Sequence, residues 1–432
     1  MLGPLSINLS EFGISSKNGF LPCVNPLPRL EAFSEWEDLV DCIPDLLKEE
    51  SFRQHADALP ILDTSNLHEE DEWRRAYHLL SFMTHSYIWG GTQPSEVLPP
   101  QISKPFLVVA SYLGLPPTAT YAALNLWNFT STSPTLDLTD LDHLSCHHTF
   151  TNTPSESWFY LISVSIEARG AEVIPLMITA MNAIRANDQS ILVSCLERFS
   201  ECIKDCGTLL QRMYERCDPE IFYHAIRPFL AGSKNMSAAG LPRGLFYDEG
   251  EGKGEWRQYS GGSNAQSSLI QFWDAVLGVK HVPTRPTGKP STEVISPKKE
   301  GGNGFLGEMR NYMPGPHREF LNKISEISPI HTYVHNSACS SEVTNAYNHA
   351  LETLAGFRDI HIQIVTRYII NQSRKAKAAG TEKANAGLNL AAATTKKDGK
   401  DFRGTGGTQL IPFLKQSRDE TKEMTVDVVD SP

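Results

Sequence analysis

The sequence predicts an all-α fold, on three observations. Apolar residues recur every three or four positions through much of the chain, runs of strict alternation are scarce, and the periodic stretches are bounded by glycine or by capping residues. The first such stretch, Leu30 to Leu47, is acidic and amphipathic and ends near Pro44. Glu69 to Trp89 lines up Trp73, Tyr77, Leu80, Met83 and Tyr87 on one face, and Gly90-Gly91 stops it. Asp188 to Cys217 opens at an Asn187-Asp188 cap and repeats Leu192, Cys195, Phe199, Cys202, Cys206, Leu209 and Met213 at the helical period. The three cysteines in that stripe are read as small core residues, because one helix face rarely supplies a whole metal site. Asn345 to Ile370 carries the stripe Tyr347, Ala350, Leu354, Phe357, His361, Ile364/Val365 and Tyr368.

Two segments break the pattern. His281 to Phe305, rich in Pro, Gly and Lys, is expected to be a surface insertion. Asn371 to Arg403 is polar and of low complexity, but apolar Leu410 to Leu414 follows it, so the stretch over 371–408 is expected to be a mobile lid rather than a tail. No internal repeat is visible. A domain boundary is expected between Thr130 and Ser157, where Thr, Ser, Asp, Asn and His dominate.

Composition bounds the function classes. Of 432 residues, 39 are Lys or Arg and 50 are Asp or Glu, a formal charge of −11 that argues against a nucleic-acid binder. Eight cysteines without a CxxC pair suit a reduced, cytoplasmic setting. The first residues place no basic group ahead of an apolar run, and no stretch reaches the roughly 20 apolar residues of a membrane helix, so neither a secretory signal nor a membrane partner is expected. His143 with Cys146-His147-His148 lacks a second ligand pair at fixed spacing and reads as part of the polar linker.

The chemistry-bearing pair is Arg358 and His361. His361 falls on the buried stripe, four residues after Phe357 and four before Val365. It is either a core histidine bonded to a carbonyl, or an axial ligand offering a neutral imidazole nitrogen to a haem iron. Arg358 lies one turn earlier on the same side, where a cation is costly unless it meets an anion such as a haem propionate.

FRDIHIQIVTRYI around His361, FYLISVSIE at Phe159 to Glu167, GGSNAQSS at Gly261 to Ser268, NYMPGPHREFL at Asn311 to Leu321 and GTGGTQL at Gly404 to Leu410 resemble the indoleamine 2,3-dioxygenase family. YIWGG at Tyr87 to Gly91 and LGLPPTATYA at Leu113 to Ala122 extend the likeness toward the N-terminus, and the insertion and polar loop resemble fungal members. The resemblance implies a small helical domain over 1–145 and a larger haem-binding catalytic domain over 146–432. It implies haem b, and cleavage of the indole 2,3 bond of L-tryptophan by O2 to N-formylkynurenine, the first step of the kynurenine route. A cytoplasmic monomer served by an external reductant is expected.

Carried over position by position, the resemblance implies His361 as proximal iron ligand, Arg358 near a propionate with Asp274 holding it, and Ser263 as a propionate contact beside Gly261 and Gly262. Phe159 and Ser163, four apart on one helix, would face O2 and the indole. Phe222 and Tyr223 would shape the indole pocket, and Arg227 would take the substrate carboxylate through two charge-assisted hydrogen bonds. Tyr121 matches a pocket aromatic, Gly262 a close backbone approach, and Thr405 the loop residue over the amino-acid head group. Leu124, Ser233 and Tyr223 depart from residues familiar in relatives, which bears on substrate range. The alternatives are a haem-binding O2 or redox sensor with little turnover, and a helical scaffold without cofactor.

Overall fold

The computed structural model describes residues 5–283, 304–335, 339–379 and 410–427. Its helices, in chain order, begin with α1 (Ser34–Asp41), α2 (Ile43–Lys48), α3 (Phe52–Asp57), α4 (Glu70–Trp89) and α5 (Pro100–Leu113). A second group comprises α6 (Pro154–Gly170), α7 (Val173–Ala186), α8 (Gln189–Gln211), α9 (Met213–Arg216), α10 (Pro219–Ile221) and α11 (Arg227–Leu230). α12 (Ser268–Leu277), α13 (Phe305–Met309), α14 (Gly315–Ile327), α15 (Ile330–Val334), α16 (Ser341–Val365), α17 (Asn371–Ala378) and α18 (Leu410–Lys422) complete the set. Strands are few and short: Val97–Leu98 pairs in parallel with Leu245–Asp248, which pairs antiparallel with Gly254–Arg257, while Thr130–Ser131 and Leu144–Ser145 form a separate antiparallel pair.

Local chemistry accounts for the long helices. α4 starts in a reciprocal capping box between Glu69 and Glu72, and Glu70, Asp71 and Glu72 set negative charge against the positive helix end. The Asp188 carboxylate accepts from the Ile191 amide at 3.1 Å to start α8, and the Ser340 hydroxyl accepts from the Val343 amide at 3.4 Å to start α16. α8 and α16 pack along each other, and α7 and α6 flank α8. Cys195, Cys202 and Cys206 are buried there, the Cys202 thiol donating to the Arg169 carbonyl of α6 at 3.2 Å. One continuous apolar cluster runs from Ile14 through α4, α6, α8 and α12 to Tyr368. Among the described residues no helix is long and apolar enough to cross a membrane.

Three expectations change. The Leu30–Leu47 helix is two helices, α1 and α2, interrupted at Cys42, because Pro44 cannot donate within a continuing helix and instead sits in the first turn of α2. The polar stretch expected to be a loop from Asn371 begins as α17, eight helical residues whose Gln372, Ser373 and Ala376 are buried. The residues that bound the 281–305 segment are anchored, although Val282 beside them is exposed: His281 is bonded to two carboxylates, and Phe305 opens α13 with its ring 5.0 Å from that of Phe413. Residues 284–303 and 380–409, including Thr405, lie outside the described residues.

Candidate active site

An apolar cavity, open to solvent on one side, lies between α6, α12, α16 and α18. Three helical segments with the wider π turn border it: Ala122–Leu126, Phe222–Ile226 and Thr366–Ile370. Such single wide turns concentrate at functional sites, since each shifts the side-chain register by one position. Of the residues singled out in the sequence, Tyr121, Phe159, Ser163, Phe222, Arg227, Gly262, Ser263, Asp274, Arg358 and His361 all line this cavity.

Tyr223 does not. A regular helix would put Tyr223 and Arg227 on one face, four apart. In the wide turn Phe222 and Arg227, five apart, reach the cavity together, while the buried Tyr223 ring lies 4.9 Å from that of His224 and under the Arg227 guanidinium at 5.8 Å. Phe222 meets Phe159 edge-on at 5.0 Å and Tyr368 at 5.7 Å, forming an aromatic wall. Arg227 is buried, and burial lowers its pKa; a guanidinium still keeps its proton at any ordinary pH, so the wall carries a cation.

On the other side, α16 brings Phe357, Arg358, His361, Ile364 and Val365 to the cavity. Burial, with the nearby Arg358 charge, lowers the His361 pKa to about 4, so its imidazole is neutral at pH 7. Its ring makes no hydrogen bond to a described residue. Arg358 Nη2 donates to both Asp274 oxygens at 2.6 and 2.7 Å, and Nη1 donates to the Thr421 hydroxyl. His281 joins the group, facing Asp274 at 3.1 Å and Glu420 at 2.6 Å. Burial alone would raise the Asp274 pKa, but the charges of Arg358 and His281 outweigh it and hold the carboxyl at about 2. Burial also pulls His281 down, and the Asp274 carboxylate more than reverses that.

Sequence reasoning missed several of these residues. Nothing in spacing could join His281 to Glu420, 139 positions apart, or bring Leu410, Phe413 and Leu414 of α18 into the wall. Behind the wall, the 1 % exposed Glu167 accepts from the Tyr121 phenol at 3.0 Å and the Ser267 hydroxyl at 2.7 Å. The sequence signal for Glu167 is an acid four residues after Ser163 in a mostly apolar stretch.

The donor set fits an apolar cofactor with anionic arms. A neutral, unbonded imidazole faces an apolar space, a cation stands one turn away, and Gly262 keeps the opposite wall open, since a Cβ there would meet Leu124 Cδ1 at 2.5 Å.

The family model for indoleamine 2,3-dioxygenase matches residues 8–424. The chain is similar to the indoleamine 2,3-dioxygenase of Saccharomyces cerevisiae, at 40% identity covering 97% of this chain and 93% of the relative. It is 35% identical to a 6-hydroxytryptophan 2,3-dioxygenase of Fusarium equiseti, with 97% and 98% covered. Human indoleamine 2,3-dioxygenase 2 is 34% identical, with 96% and 95% covered.

Proposed function

The chain belongs to the indoleamine 2,3-dioxygenase family, a family of haem-dependent dioxygenases, and on that premise we propose that it holds haem b and opens the indole 2,3 bond of L-tryptophan with O2 to give N-formylkynurenine. One observation carries the reading. A single apolar cavity gathers a neutral histidine, a buried cation, a small hydroxyl and two aromatic rings in edge contact from segments that lie up to 202 residues apart, Phe159 to His361.

The bound haem supplies O2 activation. The remaining work belongs to the chain. His361 offers its lone pair because its low pKa keeps the imidazole unprotonated. Arg358, oriented by Asp274 and Thr421, directs positive charge to the cavity edge, with the Ser263 hydroxyl as a further anchor. Phe159, Phe222 and Tyr121 confine the indole, Ser163 supplies a hydroxyl beside it, and Arg227 grips the substrate carboxylate with two parallel N–H donors. Gly262 gives room along the wall, and α18 excludes water from the opposite side through Leu410, Phe413 and Leu414. Positioning and dryness are what the protein contributes to such a reaction.

The same reading includes an external reductant, a cytoplasmic setting suited to eight free thiols, and a monomeric chain divided near 145/146 with the cavity walled from both parts. It makes tryptophan degradation by the kynurenine route the physiological context. The second reading, a haem-binding sensor, is separated by one assay. Ferrous, haem-loaded protein is incubated with L-tryptophan and O2; N-formylkynurenine above a free-haem control supports the enzyme, and its absence with a normal haem spectrum supports the sensor.

A further inference from the structure

Glu167 is a buried carboxyl that the reaction as described does not use. It sits on α6 one turn beyond Ser163, and it ties together two chain segments that wall the cavity. From one segment the Tyr121 phenol donates to Oε1 at 3.0 Å; from the other the Ser267 hydroxyl donates to the same oxygen at 2.7 Å. Tyr121, Ser163 and Ser267 all line the cavity. The approach is close because α6 crosses α12 at Gly170, where a Cβ would collide with Leu269. The second oxygen, Oε2, is buried without a hydrogen-bond partner.

This arrangement has two states. An anionic carboxylate only accepts, so both hydroxyl protons must point at Glu167, and the phenol and serine oxygens turn lone pairs elsewhere. A neutral carboxyl carries its own proton and accepts weakly, which frees the phenol proton to point into the cavity. The phenol itself stays protonated, since burial and then the Glu167 charge push its pKa far up. Tyr121 is the one titratable group facing Glu167 among the described residues, and no charged side chain does. Burial raises the Glu167 pKa to about 7, with the two hydroxyl donors pulling the other way.

We propose that Glu167 is a positioning residue of the substrate pocket: its protonation state sets whether Tyr121 offers the bound amino acid a hydrogen-bond acceptor or a donor. The proposal rests on the reading of the cavity as the tryptophan site. With Glu167 anionic, the wall accepts, which suits the indole N–H and the ammonium of tryptophan; with Glu167 neutral, the wall donates and suits neither.

Two measurements test it. Infrared difference spectra of the parent against Glu167→Gln, recorded across pH without substrate, should show a buried protonated-carboxyl band in the parent that disappears with a midpoint near 7 and is missing from the variant. Calorimetric titration of tryptophan into haem-loaded, oxidised protein should give a Kd that falls about fivefold across the same range in the parent, the size of one hydrogen bond, and stays flat in Glu167→Gln. Tyr121→Phe, which leaves Glu167 in place, should keep the infrared band and lose the pH dependence, and it decides the matter if Glu167→Gln fails to fold. A parent without the titrating band, or either variant with parental pH dependence of Kd, overturns the proposal. Absent tryptophan binding in parent and variants alike would instead count against the substrate reading, while the infrared arm would still decide the state of Glu167.

Discussion

Both oxygens of Asp274 lie within 2.7 Å of Arg358 Nη2, a two-point contact between α12 and α16 at the edge of the cavity. The side chains are 7% and 11% exposed, so water screens the pair little. The contact gives Arg358 a fixed direction one turn from His361.

Asp274→Ala should therefore destabilise the fold by about 3–5 kcal/mol, because it strands a buried cation. The sign with pH follows from the carboxyl pKa, held at about 2 against roughly 3.9 in the unfolded chain. The stabilisation is fully present above the unfolded value and is lost as pH falls through the folded one. Denaturant unfolding of parent and variant should show a gap that shrinks as pH falls below about 4 and, because Asp274 also raises the His281 pKa, narrows again as pH rises through the His281 titration. A gap that is unchanged at low pH would detach the stability from this ion pair.

Gly262→Ala tests the shape of the wall. Its added Cβ would meet Leu124 Cδ1 at 2.5 Å, so the cost is steric rather than conformational. A loss of about 1–3 kcal/mol and weaker tryptophan binding are expected, with Leu124→Ala in the same chain restoring part of the binding. Independent, additive effects of the two substitutions on Kd would contradict the contact.

Arg227→Ala should raise the tryptophan KM by about 10²-fold with haem content intact, the loss expected when a charged, two-pronged hydrogen bond is removed. Arg227→Lys should recover only part of it, because an ammonium cannot match both carboxylate oxygens. An unchanged KM in Arg227→Ala would remove Arg227 from the site.

His361→Gly should abolish the Soret band of protein reconstituted with haem, and added imidazole should restore it by entering the space the side chain leaves. The neutral state of His361 makes this specific: its pKa of about 4 leaves a free nitrogen lone pair at neutral pH. A variant with the parental five-coordinate ferrous spectrum would show that another residue ligates the iron.

The helices that carry a single buried stripe were legible in advance. α4 and α8 begin within one residue of their expected starts because their caps, Glu69 and Asp188, are local signals. Arg358 and His361 were legible for the same reason, since one regular helix fixes their relation. What escaped depends on register or on distance along the chain. The wide turn at Phe222–Ile226 moves Tyr223 off the wall and brings Phe222 and Arg227 together, and no periodicity announces such a turn. His281, Glu420 and Thr421 meet Asp274 and Arg358 only through the docking of α18, and Glu167 finds Tyr121 and Ser267 only once α6 is packed.

In the proposed reaction the cavity is the place where tryptophan and both atoms of O2 combine. The most direct test of this is mass spectrometry of the product made by ferrous, haem-loaded protein from L-tryptophan under isotopically heavy dioxygen. The expected result is N-formylkynurenine carrying two heavy oxygen atoms, formed by the parent and not by His361→Gly. Product with one heavy atom, or no product above the free-haem control, would contradict it.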